Sequence, residues 1–103
     1  MKVYFNNKYL EELAESQPKG KMRYSSEVVK MYRKKLVILE NARDSRDLRM
    51  FKSLHFERLT GNKLGLYSIR VNDKYRLEFL INNEMDIVIE EIIIIEELSN
   101  HYK

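Results

Sequence analysis

Cysteine is missing from all 103 residues. That excludes a disulfide scaffold, a thiolate metal site and a cysteine nucleophile, and it fits a reducing, cytoplasmic setting. Apolar runs are short, as at Ile92 to Ile95, far below the roughly 20 residues a membrane helix needs. The opening Met1-Lys2-Val3-Tyr4-Phe5 is likewise too short for the apolar region of a signal peptide. Proline occurs once, as Pro18, and with Gly20 it marks the one obvious break, between Ser16 and Arg23. There is no internal repeat, no low-complexity tract and no linker. Acids are plentiful near the C-terminal end (Asp86, Glu90, Glu91, Glu96, Glu97), but none stands with a histidine at ligand spacing. Strand alternation also puts Glu90 and Glu91 on opposite faces, so no metal site is expected.

What is present describes one domain spanning 1–103. A 44% hydrophobic and 34% charged composition is ordinary for a globular chain, and this length supports a single core. The formal net charge of +3 leans towards anionic partners such as nucleic acid, where neutralised phosphates release counterions. The distribution of the cations says more than their total.

The apolar period changes along the chain. Lys2 to Phe5 reads as a short strand, with Val3 and Phe5 on one face and Tyr4 on the other. Asn6 or Asn7 can cap a first helix, buried through Leu10, Leu13 and Ala14. Ser25 or Ser26 can cap a second, with Glu27 near the positive end of its dipole. Its apolar face is Val28, Tyr32, Leu36 and Leu39. From His55 onward the period becomes two. Phe56 to Leu59 and Leu66 to Val71 read as strands, and Tyr75 to Ile81 as another after a turn at Asn72-Asp73-Lys74. A further turn at Asn82-Asn83-Glu84 precedes a last strand from Ile87 to Leu98. Four consecutive isoleucines make both faces of that strand apolar, as in a central strand covered on both sides or one offering a face to a partner. The order predicts an α+β fold: an N-terminal strand and a two-helix hairpin packed on a mostly antiparallel, twisted sheet of four to five strands.

Candidate chemistry gathers around the middle of the chain. His55 and His101 are the two histidines, and by reference pKa no other side chain suits proton transfer near neutral pH. Arg70 and Arg76 flank the Asn72 turn, and the rigid guanidinium fork matches phosphate geometry. Arg43, Arg46, Arg49 and Lys52 recur in steps of three, forming a basic ridge if the segment is helical, with Leu48 and Phe51 buried. Asp44 and Asp47 are interleaved, so a solvated face with local ion pairs competes with an RNA-backbone contact. Tyr67 suits core packing, and Tyr75 is either packing or a stacking surface for an unpaired base.

The run Leu54-His55-Phe56-Glu57-Arg58-Leu59-Thr60-Gly61, then Tyr67-Ser68-Ile69-Arg70-Val71-Asn72-Asp73-Lys74-Tyr75-Arg76, resembles the RelE/HigB toxins of type II toxin–antitoxin systems. The matched positions are Leu54, His55, Leu59 and Gly61, then Tyr67, Ser68, Ile69, Arg70, Asn72, Tyr75 and Arg76. The resemblance implies the RelE-like fold and a cytoplasmic, cofactor-free endoribonuclease that cuts messenger RNA on the ribosome through attack by the RNA's own 2′-hydroxyl. It implies catalytic roles for His55 and Arg76, and for a terminal pair represented by His101 and Tyr102, which stand in reversed order here. Phosphate or RNA contacts are implied for Arg70 and Tyr75, and the reading extends them to Arg43, Arg46, Arg49 and Lys52. The implied partners are a cognate antitoxin of the helix-turn-helix kind, the ribosome and mRNA. Two alternatives share the shape: a ParE-like inhibitor of gyrase, and a catalytically silent antitoxin-binding module.

Overall fold

The fold is built on a strand that opens the chain and pairs with one that comes near its end. In the computed structural model, which describes residues 1–15, 20–83 and 91–100, β1 (Lys2–Phe5) runs parallel to β5 (Glu91–Asn100), with Val3 opposite Ile93 and Phe5 opposite Ile95. β5 pairs on its other edge with β4 (Tyr75–Asn83), β4 with β3 (Tyr67–Arg70), and β3 with β2 (Glu57–Arg58), all antiparallel. The five-stranded order is β1-β5-β4-β3-β2. The isoleucine-rich strand is therefore internal. Ile93 and Ile95 are fully buried, while Ile92 and Ile94 are half-buried on the opposite face.

Two helices cover one face. α1 (Lys8–Glu15) is capped by Asn7, whose Oδ1 accepts from the Leu10 N–H at 3.1 Å. α2 (Ser26–Asn41) is capped by Ser25, whose Oγ accepts from the Val28 N–H at 3.3 Å. Each side chain satisfies one of the amides that a helix start leaves without a partner. Leu10 and Leu13 from α1 join Val28, Val29, Tyr32, Leu36 and Leu39 from α2 over Ile69, Leu77, Phe79, Ile93, Ile95 and Leu98 in one core. The Tyr32 hydroxyl, fully buried, donates to the Leu10 carbonyl at 2.7 Å and ties the two helices together. Burial, then the nearby Tyr24, pushes its pKa well up, so the phenol stays neutral.

Several local features differ from the sequence reading. A third helix, α3 (Ser45–Met50), is capped by Asp44 and followed by a 3₁₀ turn over Lys52–Leu54. Leu48 is buried as expected, but Phe51 is 57% exposed. The helix stops at Met50, and Phe51 is extended with φ −89° and ψ 93°, so helical phase no longer governs its direction. β2 is two residues long instead of four. Asn82 and Asn83 are strand residues opposite Ile92 and Glu91 instead of a turn; Glu84 and the expected start of the last strand at Ile87 lie outside the described residues. That strand also continues past Leu98 to Asn100. The turn after β3 forms as expected: Asn72 Oδ1 accepts from the backbone N–H groups of Lys74 and Tyr75 at 2.9 and 2.8 Å. In the pairing of β4 with β5 the register shifts between Glu78 and Phe79, leaving Glu96 without an opposite partner. Such a bulge bends and twists the sheet locally.

Candidate active site on the outer face of the sheet

Alternation sends Leu77 and Phe79 to the helices and Arg76 and Glu78 to the other face. On that outer face Ser68 stands opposite Glu78 and Arg70 opposite Arg76, while Glu57 stands opposite Ser68. The six-residue spacing of the two arginines thus puts them side by side across the hairpin. A polar row in this position would ordinarily be solvated. Here its members close over one another, with the Arg76 side chain reaching Ser68 and Lys63 and Ser99 reaching Glu78, and Ser68, Arg76 and Glu78 are 0, 9 and 5% exposed.

Each buried polar group has a partner. Arg76 Nε donates to Ser68 Oγ at 2.9 Å, and its Nη2 donates to the backbone carbonyl of His55 and, at 3.5 Å, to that of Ser68. Glu57 Oε1 lies 3.5 Å from the same Nη2, with its side chain half exposed. Glu78 Oε2 accepts from Lys63 Nζ and from Ser99 Oγ, both at 2.7 Å. Lys63 thereby fastens the 3₁₀ turn Gly61–Lys63 down onto β4.

His55 caps the 3₁₀ turn Lys52–Leu54 with φ 48° and ψ 48°. Among the described residues it is the one non-glycine with positive φ. Left-handed backbone costs roughly 1–2 kcal/mol for an L-residue, though histidine tolerates it better than most. Strain of this kind persists only where surroundings over-determine it. Its neighbour Leu54 is buried, while His55 itself is exposed. The outcome is an exposed imidazole on a backbone pinned from beneath.

The remaining sequence candidates are dispersed. Arg70 is paired with Asp73 in its own turn. Lys35 of α2 has its pKa lowered, first by burial and then by the nearby charges of Arg70 and Lys34. Tyr67 stacks on Phe56 with centroids 5.5 Å apart and planes 6° from parallel. Tyr75 packs edge-on to Tyr24 on the helix side of the sheet. Arg43 pairs with Asp47 and Arg46 with Asp44. Arg46's side chain holds the Asp44 carboxyl below the usual range, and the Arg43 backbone N–H does the same for Asp47. Arg49 lies over the Phe56 ring, 5.0 Å from its centroid, in a polar cleft of about 290 Å³ that also includes Tyr67 and Glu91. Lys52 is exposed one 3₁₀ turn before His55 and accepts the His55 N–H through its carbonyl. His101 and Tyr102 lie outside the described residues.

Glu57, Lys63, Ser68, Glu78 and Ser99 complete this constellation and are absent from the sequence candidates. A glutamate or serine in an alternating strand reads as solvated, and nothing local reveals which distant side chains close over it. Arg76 was the available signal, since an arginine flanked by leucine and tyrosine in mid-sheet has to find acceptors.

Comparison with known proteins agrees with this architecture. The model of the HigB-like toxin family, the RelE-like toxin of type II toxin–antitoxin system HigB, matches residues 3–92. Toxin HigB-1 of Vibrio cholerae serotype O1 is 40% identical over 79 residues, covering 77% of this chain and 82% of that protein. The solved YoeB/ParE toxin from Agrobacterium tumefaciens shares the fold at a TM-score of 0.56 and 16% identity, over 99% of this chain and all of that one. With 90 of its residues matched by the family model and the RelE-like sheet in place, the chain belongs to the HigB-like toxins of type II toxin–antitoxin systems, a family whose members are paired with a cognate antitoxin.

Proposed function

We propose that this toxin is an endoribonuclease that cleaves messenger RNA on the ribosome, with His55 as a proton-transfer group. The supporting observation is the placement of His55: an exposed residue in left-handed backbone whose carbonyl is held by the buried Arg76 guanidinium, which Glu57 also approaches, in a chain of this family. Cleavage by the RNA's own 2′-hydroxyl needs a base to take its proton, an acid to protonate the departing 5′ oxygen, and positive charge for the phosphorane-like transition state. His55 and Glu57 provide titratable groups on one side of the site. Arg70 can exchange its Asp73 partner for a phosphate oxygen, because an exposed ion pair is held by little. The buried Arg76 adds positive field from below. His101 and Tyr102 follow directly after Asn100, which stands opposite Tyr75 at the start of β4, and are proposed as the second proton-transfer pair.

The exposed cations Arg43, Arg46, Arg49 and Lys52 are proposed to hold RNA backbone, with Tyr75 a lesser contributor. Contacts of that kind weaken steeply with salt. The cognate antitoxin is proposed to be a helix-turn-helix protein, and the working compartment the cytoplasm.

The test is to incubate the purified protein with translating ribosomes and map mRNA ends. Wild type should cut without added cofactor, and His55→Ala should be slower by about 10²–10⁴-fold, the usual contribution of an acid–base group. Full activity in a His55→Ala, His101→Ala double variant would remove the histidine mechanism. Absence of cleavage by wild type, together with growth arrest through gyrase, would move the protein to the ParE-like reading.

A further inference from the structure

Arg76 is bonded both to the sheet and to the segment before β2, and its Nη2 also lies 3.5 Å from Glu57. Its Nε is bound to Ser68 Oγ and its Nη2 to the carbonyls of His55 and Ser68, and it is 9% exposed. His55, the acceptor on the loop, has the left-handed conformation that no other described non-glycine residue adopts. We propose that Arg76 is a positioning residue whose main function is to hold the His55 backbone in that conformation, so that the imidazole is presented to RNA. The proposal rests on the reading of His55 as a proton-transfer group, and it departs from the sequence expectation that Arg76 contacts the scissile phosphate directly.

The physical argument concerns what the fork can reach. A guanidinium is planar and rigid, so fixing Nε on one acceptor fixes the direction in which Nη2 points. Ser68 lies on β3, fully buried, in register with Glu78 of the neighbouring strand. It anchors Nε to the sheet. The far side of the fork then meets the chain 21 residues earlier, at the His55 carbonyl. A loop residue is thereby referenced to a buried, paired position of the sheet. Leu54 supplies the second anchor, buried in the core one residue before the histidine. With both points fixed, rotation about the His55 backbone is restricted to the observed left-handed well. Proton transfer needs this, since displacement by about 1 Å can cost on the order of 10²-fold in rate. A lysine at position 76 would preserve the charge and lose the fork.

The experiment compares Arg76→Lys, Arg76→Ala and Ser68→Ala in the full chain, released from its antitoxin. Each is measured for ribosome-dependent cleavage and, by NMR, for the order of the His55 amide and the titration of its imidazole. Arg76→Lys should lose about 10²-fold in cleavage rate, nearly as much as Arg76→Ala. In both, the His55 amide order parameter should fall from the rigid value of about 0.85 towards the flexible range below about 0.6. Ser68→Ala, which removes one bond from the guanidinium and cannot touch RNA, should show a smaller loss of the same kind. If Arg76→Lys restores most of the cleavage, or cleavage falls while the His55 amide and imidazole stay as in wild type, Arg76 acts on the phosphate itself and the proposal is overturned. Should the Arg76 variants fail to fold, an unaltered His55 in Ser68→Ala would overturn it equally. The NMR readout needs no ribosome, so a wild type that does not cleave would end the nuclease reading and leave this one to be decided by the order of His55.

Discussion

The two faces of the sheet solve the problem of burial in opposite ways. The helix-covered face excludes charge: its core comprises aliphatic and aromatic side chains, and its fully buried phenol, Tyr32, is kept neutral and bonded to a carbonyl. The outer face buries charge and pairs it, with Arg76 against Ser68, Glu57 and the His55 carbonyl, and Glu78 against Lys63 and Ser99. Hydrophobic burial is favourable and non-directional, so the first face holds the fold. Paired ions return little net stability after desolvation, but they fix geometry where hydrophobic contacts would allow sliding. The lesson is a division of labour across one layer of strands about 5 Å apart. One face supplies stability and the other supplies position.

That division is broken most strongly by Phe79→Ala. Removing a fully buried aromatic from the helix side should cost about 3–5 kcal/mol, read from the shift of a urea midpoint, and should unfold the molecule as a unit. Tyr32→Phe should cost about 0.5–1.5 kcal/mol for the lost bond to Leu10. It carries a pH signature as well. Because the folded phenol's pKa is raised by burial, its contribution is complete below the unfolded value of about 10 and is lost as pH rises past it. The wild type should therefore lose stability above that pH more steeply than Tyr32→Phe, and identical alkaline profiles would contradict the assignment. Smallest in global effect is Glu78→Gln on the outer face. It preserves an acceptor for Ser99 and surrenders the charge facing Lys63, whose side chain is 45% exposed, so solvent screening leaves on the order of 1 kcal/mol or less. Its signature should be local, with faster amide exchange around Gly61–Lys63 and little change elsewhere. A global loss as large as that of Phe79→Ala would mean that the outer face is a second core, and the comparison would fail.

Features with a local cause were readable in the sequence. Both helix caps, the bounds of β1, the Asn72 turn and the core stripe of α2 follow from side chains acting within a few residues. Arg70 and Arg76 flank the turn in the sequence, and the strand register sets them opposite each other. Phe51 was misplaced because a helix end changes phase without a marker stronger than the residues themselves. β2 proved shorter than its apolar pattern because it lies at the sheet edge and pairs only through Glu57 and Arg58. The outer-face cluster was illegible for another reason. Ser68 is met by Arg76 from the neighbouring strand and Glu78 by Lys63 and Ser99 from elsewhere in the chain, and alternation reports which face a residue is on but not what covers that face. The left-handed backbone of His55 was equally hidden, since no glycine marks it.

The parallel pairing of β1 with β5 has a consequence for the order of events at synthesis. Residues 2–5 find their partners only at 92–95, so a segment made early waits for one made much later. Contacts of such long sequence separation form late, after loop closure has been met. Until then the apolar edge of β5 and the inner side of β1 are unsatisfied, a state that invites capture by another chain. This toxin is thus assembled with that pairing deferred until β5 has been made. That leaves an interval in which a partner already waiting nearby can reach it before the sheet is complete.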